Sequence, residues 1–348
     1  MNFEQSDDRR MLSETLRRYL ADNYAMEHRN AVAYEAPFHA PQKWQELTDL
    51  GLFYALVSED AGGMGGHGFD IVTVFEELGR ALCPEPVLGQ LLAASLLDDA
   101  EGLMAGTRYA LAVSETDAPY DVRDVAFAAV GGKITGRKSV VYGAPSAEVL
   151  LVAARQEDTV ALFEVAAKDA EITGYGMIDG GPAGEVFFDN TPAHLLMENA
   201  EEAIQTALDR GALALCAEAL GAMDVVQNML VDYLKTRKQF GQPLGAFQAL
   251  QHRAIDLAIE IEQARSIVIL AASADGTESF AKRAAQAKHL VGKIARQVSE
   301  EAIQMHGGIG ITWEFPLSHY AKRLVMIDHQ LGDSDWHLER LMAGLMAA

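Results

Sequence analysis

Two cysteines, Cys83 and Cys216, are all that a chain of 348 residues contains. They stand far apart and in no metal-ligand spacing, which argues against a disulfide framework and against a thiolate metal centre. Basic residues are scarce as well: 28 Lys and Arg against 50 Asp and Glu leave a formal net charge of −22. A field of that sign repels nucleic acid and anionic membranes, although a few local cations can still hold an anionic small molecule. No apolar run reads as long enough for a membrane span. The N-terminal stretch from Met1 to Asp8 is acidic and lacks the basic-then-apolar order of a signal peptide, so a cytoplasmic protein is expected. What remains, 49% apolar and 22% charged residues, is ordinary globular composition on a length that allows two or three domains.

Residues 1–103 read as helical. Ser6 before Asp7 and Asp8 marks a helix start, followed by Met11, Leu12, Leu16 and Leu20 at helical spacing. A second helix carries Trp44, Leu47 and Leu50. A third carries Val72, Phe75, Leu78 and Leu82 and stops at Pro84 and Pro86. The glycines between Gly62 and Gly68 follow no clear strand and open no βαβ unit, so they read as a loop rather than a dinucleotide fingerprint. From about 104 to 196 short, often β-branched runs replace the helices: 110–113, 124–130, 139–142, 149–152 and 160–165. Gly131-Gly132-Lys133 is a hairpin turn among them, and an antiparallel β-domain is expected. Residues 197–348 return to helix. Leu250, Ala254, Leu257, Ile261, Ala264 and Val268 form an apolar stripe, with Arg253, Asp256, Glu260 and Gln263 on the wet side. The fold class is thus α+β: an N-terminal helical domain (1–103), a middle antiparallel β-domain (104–196) and a C-terminal four-helix bundle (197–348).

Two local patterns carry chemistry. Gln304-Met305-His306-Gly307-Gly308-Ile309-Gly310 ends a long helical run, and its glycines permit both a helix stop and close approach of backbone N–H groups to a ligand. Gln304 adds an amide suited to a phosphate or ribose. The second pattern is Arg237-Lys238-Gln239-Phe240-Gly241-Gln242-Pro243-Leu244. Either alone is equally well a helix stop or a solvated cation at a helix end.

Together with the helical, β, helical order and with Glu76-Glu77-Leu78-Gly79-Arg80, these two motifs resemble the acyl-CoA dehydrogenases, and the similarity spans nearly the whole chain. The resemblance implies FAD as cofactor and removal of an α-proton by a carboxylate as a hydride passes to the flavin. It implies that Arg237, Gln239 and Phe240 lie along the FAD pyrophosphate and that Gln304, Gly307, Gly308 and Gly310 hold its adenosine-diphosphate portion. These groups would reach a neighbouring subunit's flavin, so at least a dimer, and usually a tetramer, is implied. An acyl-CoA substrate and an electron-transfer flavoprotein are the implied partners.

The family's common catalytic glutamate falls on Asp333, a carboxylate shorter by one methylene, with Asp335 the neighbouring candidate. Both aspartates also suit the N-terminus of a helix beginning near Trp336. The alternative base position falls near Gly211, where no carboxylate stands. In the β-region, Ser114 to Asp121 replaces a Thr-Glu-Pro…Gly-Ser-Asp segment, and Val140-Val141-Tyr142 replaces a Trp-Ile-Thr-like segment. The phosphate contacts are therefore kept while the ring cradle is eroded. Two functions follow: an active dehydrogenase using Asp333, or a non-catalytic partner that lends its phosphate contacts to a larger homologous subunit. The second matches the small subunits of heteromeric relatives acting on pimeloyl-type or steroid-side-chain thioesters. A third reading is a binding member of the fold that has lost FAD.

Overall fold

The computed structural model describes residues 6–346, so the first five residues of the N-terminal stretch read above lie outside it. Helices come first: α1 (Asp7–Asn23), α2 (Met26–Ala33), α3 (Pro41–Asp49), α4 (Gly68–Ala81), α5 (Val87–Ala94) and α6 (Glu101–Met104). Strands follow: β1 (Tyr109–Ala112), β2 (Ala129–Val130), β3 (Lys133–Tyr142), β4 (Val149–Gln156), β5 (Thr159–Ala166), β6 (Glu171–Gly176), β7 (Pro182–Pro192) and β8 (His194–Met197). The chain then runs through α7 (Glu201–Thr236), the short strands β9 (Lys238–Gln239) and β10 (Gln242–Pro243), α8 (Gln248–Ala272), α9 (Phe280–His306), α10 (Leu317–His329) and α11 (Ser334–Met346). Packing groups these elements into two compact units, each assembled from separate stretches of chain. Among the described residues, one holds 6–26, 71–83 and 212–346; the other holds 27–70 and 84–211.

The first unit is helical, and α9 is the helix against which α8, α10 and α11 pack. Ser6 caps α1, its hydroxyl accepting from Arg9 N. The crossing of α4 and α7 is closed by two glycines. A Cβ on Gly79 would come within 2.0 Å of the Glu218 carbonyl oxygen, and one on Gly221 within 1.9 Å of Glu76 O. Around that crossing Arg17 grips Glu77 with two hydrogen bonds of 2.6 and 2.9 Å. Arg80 and Arg265 both pair with Glu76 and Asp224. The Glu76-to-Arg80 run is thus spent on joining α1, α4, α7 and α8. An 18-residue window of α7 has a mean hydropathy of 1.3, long and apolar enough to cross a membrane, which corrects the expectation of no such run. Since 67% of that window is buried within the protein, its apolar content is core.

The second unit contains two four-stranded sheets, ordered β1-β4-β5-β8 and β2-β3-β7-β6. All pairings are antiparallel except β1 with β4, which is parallel and departs from a wholly antiparallel region. Gly131 and Gly132, at φ of 58° and 73°, form the two-residue turn between β2 and β3. Within the expected strand 124–130 only Ala129 and Val130 pair as strand. Arg155 claims much of the preceding segment, donating through its guanidinium to Val125 O and Arg123 O and through its backbone to Phe127 O.

Candidate functional site

The last turn of α7 sets the first half of the site. Arg237 N donates to Tyr233 O at 2.8 Å, and Leu244 N returns to Arg237 O at 2.8 Å. Between them β9 and β10 form a hairpin whose turn residues, Phe240 and Gly241, have φ of 52° and 81°. A phenylalanine held at positive φ and 89% exposed is unusual on both counts. Lys235, Arg237, Lys238 and Gln239 are exposed too. Among the described residues the Arg237 guanidinium has neither a carboxylate nor a hydrogen-bond partner. On a chain of charge −22, an unpaired cation beside two lysines is suited to a ligand anion.

The end of α9 sets the second half. Gly307 closes the helix with its N–H on Ile303 O and adopts φ 68°, ψ −150°, backbone that only glycine takes without strain. A short 3₁₀ turn then runs from Gly307 to Ile311. A Cβ at Gly307 or Gly308 would meet nothing within 4 Å, so the outer side of this turn is open. Gly310 has a different reason to be glycine: it is buried, and its Cβ would lie 3.2 Å from His306 Cβ. Gln304 is exposed on the last turn of α9.

These halves meet through two aromatic residues. The Tyr233 hydroxyl donates to His306 O at 3.1 Å, and the two rings stack with centroids 4.4 Å apart. The structure therefore brings Arg237 and the glycine run to the same end of the helical unit. His306 Nδ1 donates to Ala302 O at 2.8 Å, and burial lowers its pKa, so this histidine is a neutral packing residue. No feature of the sequence motifs pointed to Tyr233. The signal available was its place one turn before Arg237 on the helix.

Asp333 is half-buried, and its Oδ1 accepts from Trp336 N at 2.8 Å, capping α11. Its Oδ2 accepts no hydrogen bond from the described residues. Asp335 is exposed in the first turn of α11. Beneath this loop lies a buried polar cluster that the sequence reading missed. Lys288 Nζ donates to Asp328 O and Gly332 O at 2.8 and 2.6 Å. His337 Nε2 donates to Leu331 O at 3.1 Å, and Asp328 accepts from Ser334 N and from Arg296. Burial is the main cause that pushes Lys288 down to about 8 and His337 down to about 3. A lysine on the apolar stripe between Ala284 and Val291 was the available signal.

The β-segments expected to cradle a flavin ring are occupied with one another. Glu115 accepts from Lys138 Nζ at 2.7 Å and from Phe127 N and Ala126 N at 3.1 Å each. Ser139 N donates to Ser114 O at 2.9 Å, and the Thr116 and Ser139 hydroxyls lie 3.1 Å apart. Arg137 donates to Thr116 Oγ1 and pairs with Glu185 at 3.3 Å. Glu185 also accepts from Val140 N and Tyr175 OH at 3.2 Å each. Val140, in place of a large aromatic, sits at φ 51° beside a bulge in β3.

Comparison with known proteins settles the family. The acyl-CoA dehydrogenase N-terminal domain model matches residues 6–98, and the C-terminal domain model matches residues 202–346. The chain belongs to the acyl-CoA dehydrogenase family. It is 30% identical over 320 residues to the acyl-CoA dehydrogenase IpdE2 of Mycobacterium tuberculosis, covering 91% of each chain. Among solved structures, it matches a variant of the Tcur3481–Tcur3483 steroid ACAD with a TM-score of 0.89 and 29% identity, over 98% of this chain and 99% of that one. The ChsE4–ChsE5 complex of M. tuberculosis matches with a TM-score of 0.90 over 100% of both chains; at 23% identity it speaks for the fold. Members of the family are FAD-dependent oxidoreductases. The residues that the sequence assigned to the adenosine-diphosphate portion of FAD fit such a ligand: a guanidinium unpaired among the described residues, an exposed amide and an open glycine turn stand at one end of the unit. At the ring end the groups in hand are already paired with one another, and they add no support for the flavin ring.

Proposed function

We propose that this chain serves in FAD-dependent α,β-dehydrogenation of an acyl-CoA thioester, and that its part is to hold the cofactor's diphosphate with Arg237 and the Gln304–Gly310 turn. The observation that carries this is the Tyr233–His306 contact, which joins the two motifs at one end of the helical unit. Gln239 and Phe240, on the exposed hairpin, extend the same surface toward a neighbouring subunit. FAD, when bound, supplies the two-electron acceptor for a hydride leaving the β-carbon. Asp333 Oδ2 is the candidate acceptor for the α-proton, because Oδ1 is engaged at the helix start. Likeness to a steroid ACAD favours a steroid-derived acyl chain, and an electron-transfer flavoprotein is the expected electron acceptor.

A second reading has an observation of its own. The cap formed by Asp333, the pairing of Glu115 with Lys138 and that of Arg137 with Thr116 and Glu185 favour a chain whose own site is idle and which lends its phosphate contacts to a larger homologous subunit in a heterotetramer. Asp333→Asn separates the two readings, since asparagine caps a helix as well as aspartate does. In an active subunit the rate at which acyl-CoA bleaches the flavin falls by at least about a thousandfold. In a lending subunit, co-purified with its partner, the rate is unchanged. A protein that carries no flavin, alone or with the partner, refutes both.

A further inference from the structure

We infer that Tyr233 is a positioning residue that fixes the distance between Arg237 and the glycine turn, a role that rests on the diphosphate reading of these two elements. Tyr233 belongs to neither motif, yet it touches the backbone of both. Its carbonyl accepts from Arg237 N at 2.8 Å, its hydroxyl donates to His306 O at 3.1 Å, and its ring stacks on His306 at 4.4 Å. The peptide it holds is the one from which the turn departs, since His306 is the last residue of α9 and Gly307 the first of the turn.

The outer side of that turn is open: Gly307 and Gly308 carry no side chains, and a Cβ added at either would meet no neighbouring atom within 4 Å. Support from the protein comes from the inner side, where Gly310 rests on Ile303 and His306, and where the Phe315 ring lies tilted against the His306 ring at 5.4 Å. A diphosphate held by a guanidinium from one helix end and by backbone N–H groups from another needs both in place to a fraction of an ångström. The tyrosine hydroxyl links the two ends directly. Its ring gives the link stiffness, with only two side-chain torsions to fix.

Two substitutions test this. Tyr233→Phe removes only the hydroxyl, and Tyr233→Leu removes the stack as well. The first readout needs no ligand: hydrogen exchange at the amides of 307–312 in the assembly as it purifies. The expected result for Tyr233→Phe is exchange about fivefold faster or more across that turn, with the rest of α9 and the melting temperature unchanged. Tyr233→Leu gives a larger change. The second readout is titration with FAD and with riboflavin, which lacks the adenosine-diphosphate portion. Tyr233→Phe is expected to weaken FAD about fivefold and leave riboflavin as it was. Unchanged exchange in the turn, or a rise spread evenly along α9 with a fall in melting temperature, overturns the inference. So does an unchanged FAD affinity in Tyr233→Phe when Arg237→Ala weakens FAD. If Arg237→Ala also leaves FAD affinity unchanged, the diphosphate reading fails as well, and the inference fails with it.

Discussion

Two clusters of polar groups in this chain are built in opposite ways. At the end of the helical unit, Arg237 has no partner among the described residues and the turn at Gly307 and Gly308 faces open space. Within the β-unit, Lys138 is fully buried, donates to Val113 O and Glu115, and lies over the Phe127 ring, while Arg137 joins Thr116 to Glu185. Folding alone accounts for the second cluster, because buried charges without partners are costly. It does not account for the first, where a phenylalanine at positive φ stays 89% exposed beside an arginine unpaired among the described residues. A site kept for a ligand shows as groups left unsatisfied, and a site given over to structure shows as groups used up.

The largest effect that could break this contrast is on stability. Lys138→Met, which leaves Glu115 without its ammonium partner, is expected to cost about 3–5 kcal/mol in urea unfolding. Flavin content per folded chain should not change, and a selective loss of flavin would erase the contrast. The same lysine gives a pH signature. Burial first, against the Glu115 contact, sets its folded pKa at about 8, below the ordinary 10.5. Between those values the unfolded state binds a proton that the folded state does not, so stability rises as pH increases through that window, by on the order of 3 kcal/mol. Lys288, also at about 8, contributes a rise of the same sign. Lys138→Met should therefore make the rise smaller, measured as unfolding free energy against pH.

A smaller effect sharpens the other side. Arg237→Lys keeps the charge but loses the two-pronged fork, so FAD affinity should fall about tenfold while the unfolding midpoint stays put. The smallest is Arg137→Ala. This side chain is 44% exposed, so its bridge to Glu185 and Thr116 should be worth less than about 1 kcal/mol.

How much of this was legible in the sequence depended on whether the information was local. The α8 stripe could be read because burial of Ala254, Leu257, Ile261, Ala264 and Val268 follows the helical period. The glycine run and Arg237 could be read because each motif is contiguous and φ requirements are local. Their meeting through Tyr233 could not, since it depends on two helices more than sixty residues apart in the chain. The parallel pairing of β1 with β4 was hidden for a related reason: alternation of side chains specifies a strand but not its neighbour. The wet side of α8 was misjudged in part, for Ile255 and Ile259 are more than half exposed there. For Asp333, spacing suggested a base and composition suggested a cap. The structure shows the cap hydrogen bond and leaves the second oxygen open.

The most direct test of the account is the FAD-to-chain ratio of the purified assembly carrying Arg237→Ala, Gly308→Val or both. A Cβ at Gly308 meets no protein atom within 4 Å, so valine there reaches into space a ligand would use. The account predicts that each single change strips most of the FAD while the fold and assembly persist, and that the double change adds little further. A full complement of FAD in both single variants would contradict it.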